Sequence, residues 1–159
     1  MIAVLILLMV SSIVAGGVPL AMNAYREVLS AANAETLLTS AVIRLRDELS
    51  EATDITVGSN SDTITYTDAN GIRTTLYSGG EGKSVMLEYT VEGAAQSRVM
   101  LSDGASEQNL YIDYGGTPDP AIVYSDGVIV IRNLSVKSGT RVLASLNELK
   151  IRVLADVVS

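Results

Sequence analysis

The chain contains no cysteine, no histidine, no tryptophan and no phenylalanine. Without cysteine there are no disulfide staples and no thiol chemistry, and zinc loses its usual thiolate ligands. Without histidine the ordinary general base is missing as well. Aromatic content is limited to seven tyrosines, so a core has to be built from Val, Ile, Leu, Met and tyrosine rings. Charge is missing in one place above all: no Asp, Glu, Lys or Arg occurs between Met1 and Tyr25.

The formal charge of −7 therefore rests entirely on residues 26–159. A sequence pI near 4.5 argues against nucleic acid and against anionic lipid as docking surfaces, since no basic patch emerges from the sequence. The close basic pairs, Arg44/Arg46 and Lys150/Arg152, each come with a carboxylate, Glu48 or Glu148, and read as solvated faces. A length of 159 residues allows one domain plus an extension.

The uncharged run MIAVLILLMVSSIVAGGVPLAM is apolar all round, broken only by Ser11, Ser12 and the Gly16-Gly17-Val18-Pro19 step. A helix of about 22 such residues is roughly 33 Å long, enough to cross a bilayer core. The remaining residues are too few and too polar to surround it. Residues 1–25 are therefore expected to be a half-helix that sits across a membrane, in a partner's apolar surface, or in both by turns. Its apolar surface would be Ile2, Val4, Leu5, Ile6, Leu7, Leu8, Val10, Ile13, Val14, Val18 and Leu20. No basic residue precedes the run and no cleavage break follows it, so it reads as retained rather than as a secretory signal, with residues upstream of Met1 removed.

From Asn23 to about Thr53 apolar residues recur at threes and fours, with charge on the other faces. The period predicts an amphipathic half-helix over 26–53, with Val28, Leu38, Val42, Leu45 and Leu49 turned toward a sheet. Nothing separates Met22 from Ala24, so the two segments should form one helix of about 50 residues. Gly16, Gly17 and Pro19 mark an expected kink or local unwinding, because proline removes one backbone bond and crowds the preceding turn.

After Asp54 the apolar residues alternate. Strands are expected at Thr63–Asp68 and Ile72–Ser78 around Asn70-Gly71, then Ser84–Val91, Ser97–Leu101 and Leu110–Tyr114. Ala121–Ser125 and Val128–Arg132 flank Asp126-Gly127, Leu134 and Val136 continue that pattern, and Leu146–Leu154 closes the series. Residues 54–159 thus read as a β-rich head, and the whole as α+β: a long N-terminal helix whose second half packs on an antiparallel meander. The irregular loops Ser78–Lys83 and Gly115–Pro120 are the expected surface features.

Several motifs carry a bland reading beside a functional one. Gly82-Lys83-Ser84 resembles the end of a phosphate loop, but Tyr77 stands where the first glycine belongs and a strand pattern follows. Asp103, Glu107, Asp113 and Asp119 lack calcium-loop spacing and read as loop acids. Asn133-Leu134-Ser135 fits a glycosylation acceptor, yet its alternating context suits an asparagine that ends or bends a strand. No serine has a histidine partner and no thiol exists, so no catalytic constellation, cofactor site or metal site is expected.

The segment IAVLILLMVSSIVAGGVPLAMNAYREVLSAANAETLLTSAVIRLRDEL resembles the N-terminal helix of type IV pilins and pseudopilins, and Pro19 matches that family's helix-bending proline. The resemblance covers residues 1 to about 53 and, beyond them, only the class of fold. It implies a prepilin whose short basic leader is removed by a membrane peptidase that methylates the new N-terminus. It further implies a subunit held in membrane lipid by a single pass, then lifted by assembly machinery into an extracellular filament of bundled helices, with the head outside the cytoplasm. Most family members carry a glutamate near the mature start. Aligning on Pro19 puts Ile2 in its place, which points to a minor subunit. On this reading the chain is a non-enzymatic filament subunit whose partners are other pilin subunits. The alternatives are a single-pass anchored surface protein whose β head binds a ligand or partner, and a membrane-tethered hydrolase with an unusual site.

Overall fold

The computed structural model describes residues 2–79, 84–91, 94–100, 109–115 and 120–154, with the side chains of Ile2, Leu5, Leu8, Val10 and Val14 outside the description. The chain divides into two units, Met1–Asn33 and Ala34–Ser159. One helix, α1, covers Ile2–Ser50. It is followed by β1 (Thr53–Val57), β2 (Thr63–Thr67), β3 (Arg73–Ser78), β4 (Val85–Val91), β5 (Ala94–Val99), β6 (Leu110–Asp113), β7 (Ile122–Ser125), β8 (Val128–Ser138) and β9 (Arg141–Arg152). The architecture is α+β.

Helical structure runs unbroken through Gly16, Gly17 and Pro19, so the step is not an unwound one. Proline withholds a single N–H, and the turns on either side keep their bonds. The helix stops at Ser50, earlier than Thr53, and Thr53 already pairs with Thr67 of β2.

The second unit is not one meander but two sheets. Strands β1 to β5 form an antiparallel meander in chain order. In the other sheet β8 pairs with β9 along one edge, while β6 and β7 lie end to end along the opposite edge. Both β8 and β9 extend beyond the sequence expectation, meeting at the two-residue Gly139-Thr140 turn between Ser138 and Arg141. The strand expected at 97–101 lies earlier, over Ala94–Val99.

Local chemistry explains the turns. At Asp126-Gly127 both residues take positive φ, 52° and 70°, the backbone a two-residue primed hairpin turn demands. Around Asn70-Gly71 the loop is longer. Asp68 Oδ1 accepts from the N–H groups of Asn70 and Ile72, and Gly71 supplies φ +78°, giving a three-residue turn with a glycine bulge.

Strand β8 contains a further device. Ile129 and Ile131 are buried, and so are Leu134 and Val136, although strict alternation would place the two pairs on opposite faces. Asn133, exposed and at φ +54°, resets the phase. Across the ladder β9 stays in register, with Ile131 facing Leu149 and Leu134 facing Leu146, so its inward phase changes with that of β8. A non-glycine residue at positive φ is tolerable here because asparagine is among the few that visit that region readily.

The core gathers Ala34, Ala41, Leu45, Leu49 and Ala52 from the helix end of the unit with Ile64, Tyr66, Leu76, Val85, Leu87, Ile112, Ile122, Ile129, Ile131, Leu134, Val136, Leu149 and Ile151 from both sheets. Leu38 and Val42 are half-buried against it. Val28 was placed with them by period, but its side chain is 69 % exposed. At 100° per residue it is rotated about a quarter turn from the Ala34–Leu49 stripe, and it belongs to the first unit. Backbone and side-chain bonds tie the pieces: Tyr66 Oη donates to Glu48 Oε1 at 2.9 Å, and Leu154 N donates to Ser50 O at 2.8 Å.

Leu45→Ala should destabilise the chain by about 3 kcal/mol in urea denaturation, the cost of a cavity among buried aliphatics, whereas Val28→Ala should stay within about 0.5 kcal/mol. Asn133→Val should cost about 1–2 kcal/mol through its forced left-handed backbone, with Asn133→Gly tolerated.

Candidate functional site

The first half of α1 is the outstanding surface of the chain. Val4, Ile6, Leu7, Met9, Val18 and Met22 are all more than half exposed, and Ile13 and Leu20 reach 74 %. Successive helical residues advance about 100°, so Val4, Leu7, Val18, Met22 and Tyr25 fall on one side of the helix. By the same geometry Ile6, Met9, Ile13 and Leu20 fall on the opposite side, while Leu29 joins the first. Ser12, Gly16, Pro19 and Asn23 occupy a third side between them. A Cβ added at Gly16 or Gly17 would meet nothing within 4 Å, so neither glycine is required by packing inside the chain. Contiguous apolar surface of this extent marks an interaction site, since single exposed aliphatics are ordinary but a whole helix of them is not.

The single-pass membrane stage expected from the sequence does not hold. Among the described residues no helix is long and apolar enough to cross a membrane, so single-pass insertion does not stand. The stretch with described side chains dilutes its aliphatics with Ser11, Ser12, Gly16, Gly17 and Pro19, and charge begins at Arg26.

Within the second unit the strongest polar node is Asp113. Ser78 Oγ donates to its Oδ1 at 2.7 Å, Tyr114 N donates to the same oxygen at 3.0 Å, and Lys137 Nζ reaches Oδ2 at 2.6 Å. Ser78 ends β3, Asp113 ends β6 and Lys137 sits on β8, so the node links the two sheets. Burial alone would raise the Asp113 carboxyl, but the bonds from Lys137 and Ser78 outweigh it and hold it below its ordinary value. Its carboxylate, by accepting from Lys137, lifts the lysine above its own. Both directions favour the charged forms, a carboxylate and an ammonium joined as an ion pair. Two tyrosines are also shifted. Burial, with Glu48 adding, pushes the Tyr66 phenol up, and burial, with Asp62 and Asp113 adding, does the same at Tyr114.

A groove of about 290 Å³ lies between the last turns of α1 and the β2–β3 turn, lined by Arg44, Asp47, Glu48, Glu51, Asp68, Ala69 and Asn70. Among the described residues no group of three His, Cys, Asp or Glu is placed to hold a metal ion. Sequence reasoning missed this groove because its acids come from two elements joined only by the fold. The Asp113 node was missed for the same reason, Asp113 having been read as a loop acid.

Of the remaining sequence motifs, Gly82, Lys83, Asp103, Glu107 and Asp119 lie outside the described residues. Ser84 is buried and its Oγ accepts from Ile112 N at 3.1 Å, a seam contact between β6 and the start of β4. Ser135, the last residue of the Asn133 tripeptide, is 7 % exposed. Comparison with family models, with curated proteins and with solved structures gives no match.

The depressed Asp113 carboxyl contributes stability that is complete above the ordinary carboxylate pKa and is lost as pH falls through its folded value. The raised Lys137 contributes stability that is complete below the ordinary lysine pKa and is lost as pH rises through its folded value. Asp113→Asn should therefore lower stability near neutral pH by about 1–3 kcal/mol and flatten the acid limb below about pH 4 in a denaturation series.

Proposed function

We propose that this chain is a structural subunit of a helix-cored filament of the type IV pilin or pseudopilin kind, acting by assembly rather than by catalysis. The observation that carries the reading is the exposed apolar surface of the first half of α1. The proposal contains no membrane-inserted stage.

The arrangement of the apolar residues favours a bundle over a pair. A single neighbouring helix covers one stripe, as in a two-stranded coiled coil. Here Leu7, Val18 and Tyr25 lie opposite Met9, Ile13 and Leu20, so burying both sides takes neighbours on both sides. Each aliphatic side chain moved from water into such a contact contributes roughly 1.5–3 kcal/mol before the entropic cost of association. From Ser12 onward the third side, with Gly16 and Pro19, is small and permits a closer approach there. In this reading the second unit is the decorated exterior, held to the core of the assembly by α1.

Ile13→Glu and Leu20→Glu test it. Both positions are exposed in the single chain, so circular dichroism of the head should be unchanged. In the assembly each would bury an unpaired carboxylate at a cost of several kcal/mol. The intact chain should form extended oligomers by sedimentation and electron microscopy, and the two variants should not. An intact chain that stays monomeric at high concentration would overturn the proposal in favour of a head that binds a different partner.

A further inference from the structure

The fold sorts charge in a way the linear sequence conceals. The β8–β9 hairpin carries Arg132, Lys137, Arg141, Lys150 and Arg152 against one carboxylate, Glu148. Lys137 is engaged by Asp113, and Lys150 lies 3.1 Å from Glu148. Register sets Val128 opposite Arg152, Val130 opposite Lys150 and Arg132 opposite Glu148. Val123 and Ser125 of β7 extend the same row beside Val130 and Val128. Because the alternate residues Ile129, Ile131, Leu149 and Ile151 point into the core, this row faces away from it. The result is a half-exposed valine strip flanked by cationic side chains, with Glu148 and Asp126 as its carboxylates.

The groove at the end of α1 has the opposite character. Asp47, Glu48, Glu51 and Asp68 outnumber Arg44. Glu48 accepts from Tyr66, and Asp68 is engaged by its own turn, while Asp47 and Glu51 are exposed. Copies of a chain with a formal charge of −7 repel one another in most orientations. The approach that brings opposite signs together sets the β7–β9 strip of one copy against the α1/β2–β3 groove of another.

We propose that the β7–β9 valine strip is a docking face for a second copy of this chain, received at the acidic groove lined by Asp47, Glu51 and Asp68. The inference deepens the assembly proposed above and rests on it for the close approach of copies. Charge complementarity of this kind sets the register and partner choice of a contact whose apolar part is small. Each copy carries both faces, so the contact can repeat from copy to copy along an assembly. Being exposed at its rim, it weakens as salt rises.

The test uses the full chain, mixed as isotopically heavy and light copies and treated with a carbodiimide, which joins a lysine amine to a carboxylate. Heavy–light peptides linking Lys150 to Asp47, Glu51 or Asp68 are expected. The K150E/R152E chain should self-associate about tenfold more weakly, as should D47K/E51K, and mixing the two variants should restore association to about the strength of the unaltered chain. Heavy–light links confined to other residues, or association unmoved by both reversals, would overturn the docking proposal. Association lost on Ile13→Glu but unmoved by both charge reversals leaves the helix-cored filament standing and removes the docking face. The opposite pattern removes the helix reading and keeps the docking face.

Discussion

Burial of one stripe of α1, Ala34 to Leu49, in a common core with both sheets is the contact on which the head depends. Ala34 and Ala41 are buried beside Leu45 and Leu49, one turn or two apart on one face of the helix. The stripe combines small alanines with larger leucines, and all four share one core with residues of both sheets. Replacing the alanines with larger side chains would push the helix outward and open the core beneath it. The polar ties are consistent with that placement: Tyr66 reaches Glu48 across the first sheet, and Leu154 reaches Ser50 from the second.

The two sheets must in turn present continuous apolar faces to that stripe, and β8 does so by breaking its own alternation. Asn133 shifts the phase midway, so both halves of an 11-residue strand bury their aliphatics. The seam between sheets is then closed by polar contacts rather than by strand pairing. Ile122 N donates to Ser61 O, Tyr114 Oη to Asp62 O, and Ser78 to Asp113. Such contacts are directional, so they fix how one sheet sits on the other, whereas the core beneath them supplies most of the stabilisation.

Much of this was legible in the residues, and the parts that were not share a cause. Long-period apolar spacing gave the single helix, and Asn70-Gly71 and Asp126-Gly127 marked two turns, because these signals are local. Leu45 and Leu49 could be picked from the helix as large residues in phase. Ala34 and Ala41 could not, since an alanine is equally at home on an exposed helix face. Val28 fits a loose three-and-four spacing yet lies about a quarter turn from the buried stripe. The division into two sheets, the groove beside Asp68 and the Asp113 node all depend on which distant segments meet. Asp113 and Lys137 are 24 positions apart, a separation at which sequence pattern carries no pairing information.

The same limit bears on function. A count of charges describes this chain as acidic, and pairs such as Lys150/Arg152 look like scattered solvated residues. Folding places them on one row of one hairpin and collects acids from α1 and the β2–β3 turn elsewhere, so a net-acidic protein acquires one face that suits another copy of itself. Meanwhile the apolar half of α1 carries no charge with which to choose a partner or a register. Aliphatic packing alone tolerates sliding, because one turn of such a helix resembles the next. An assembly cored by that helix would need its specificity from a different part of the chain, and the head is the part with charges arranged to provide it.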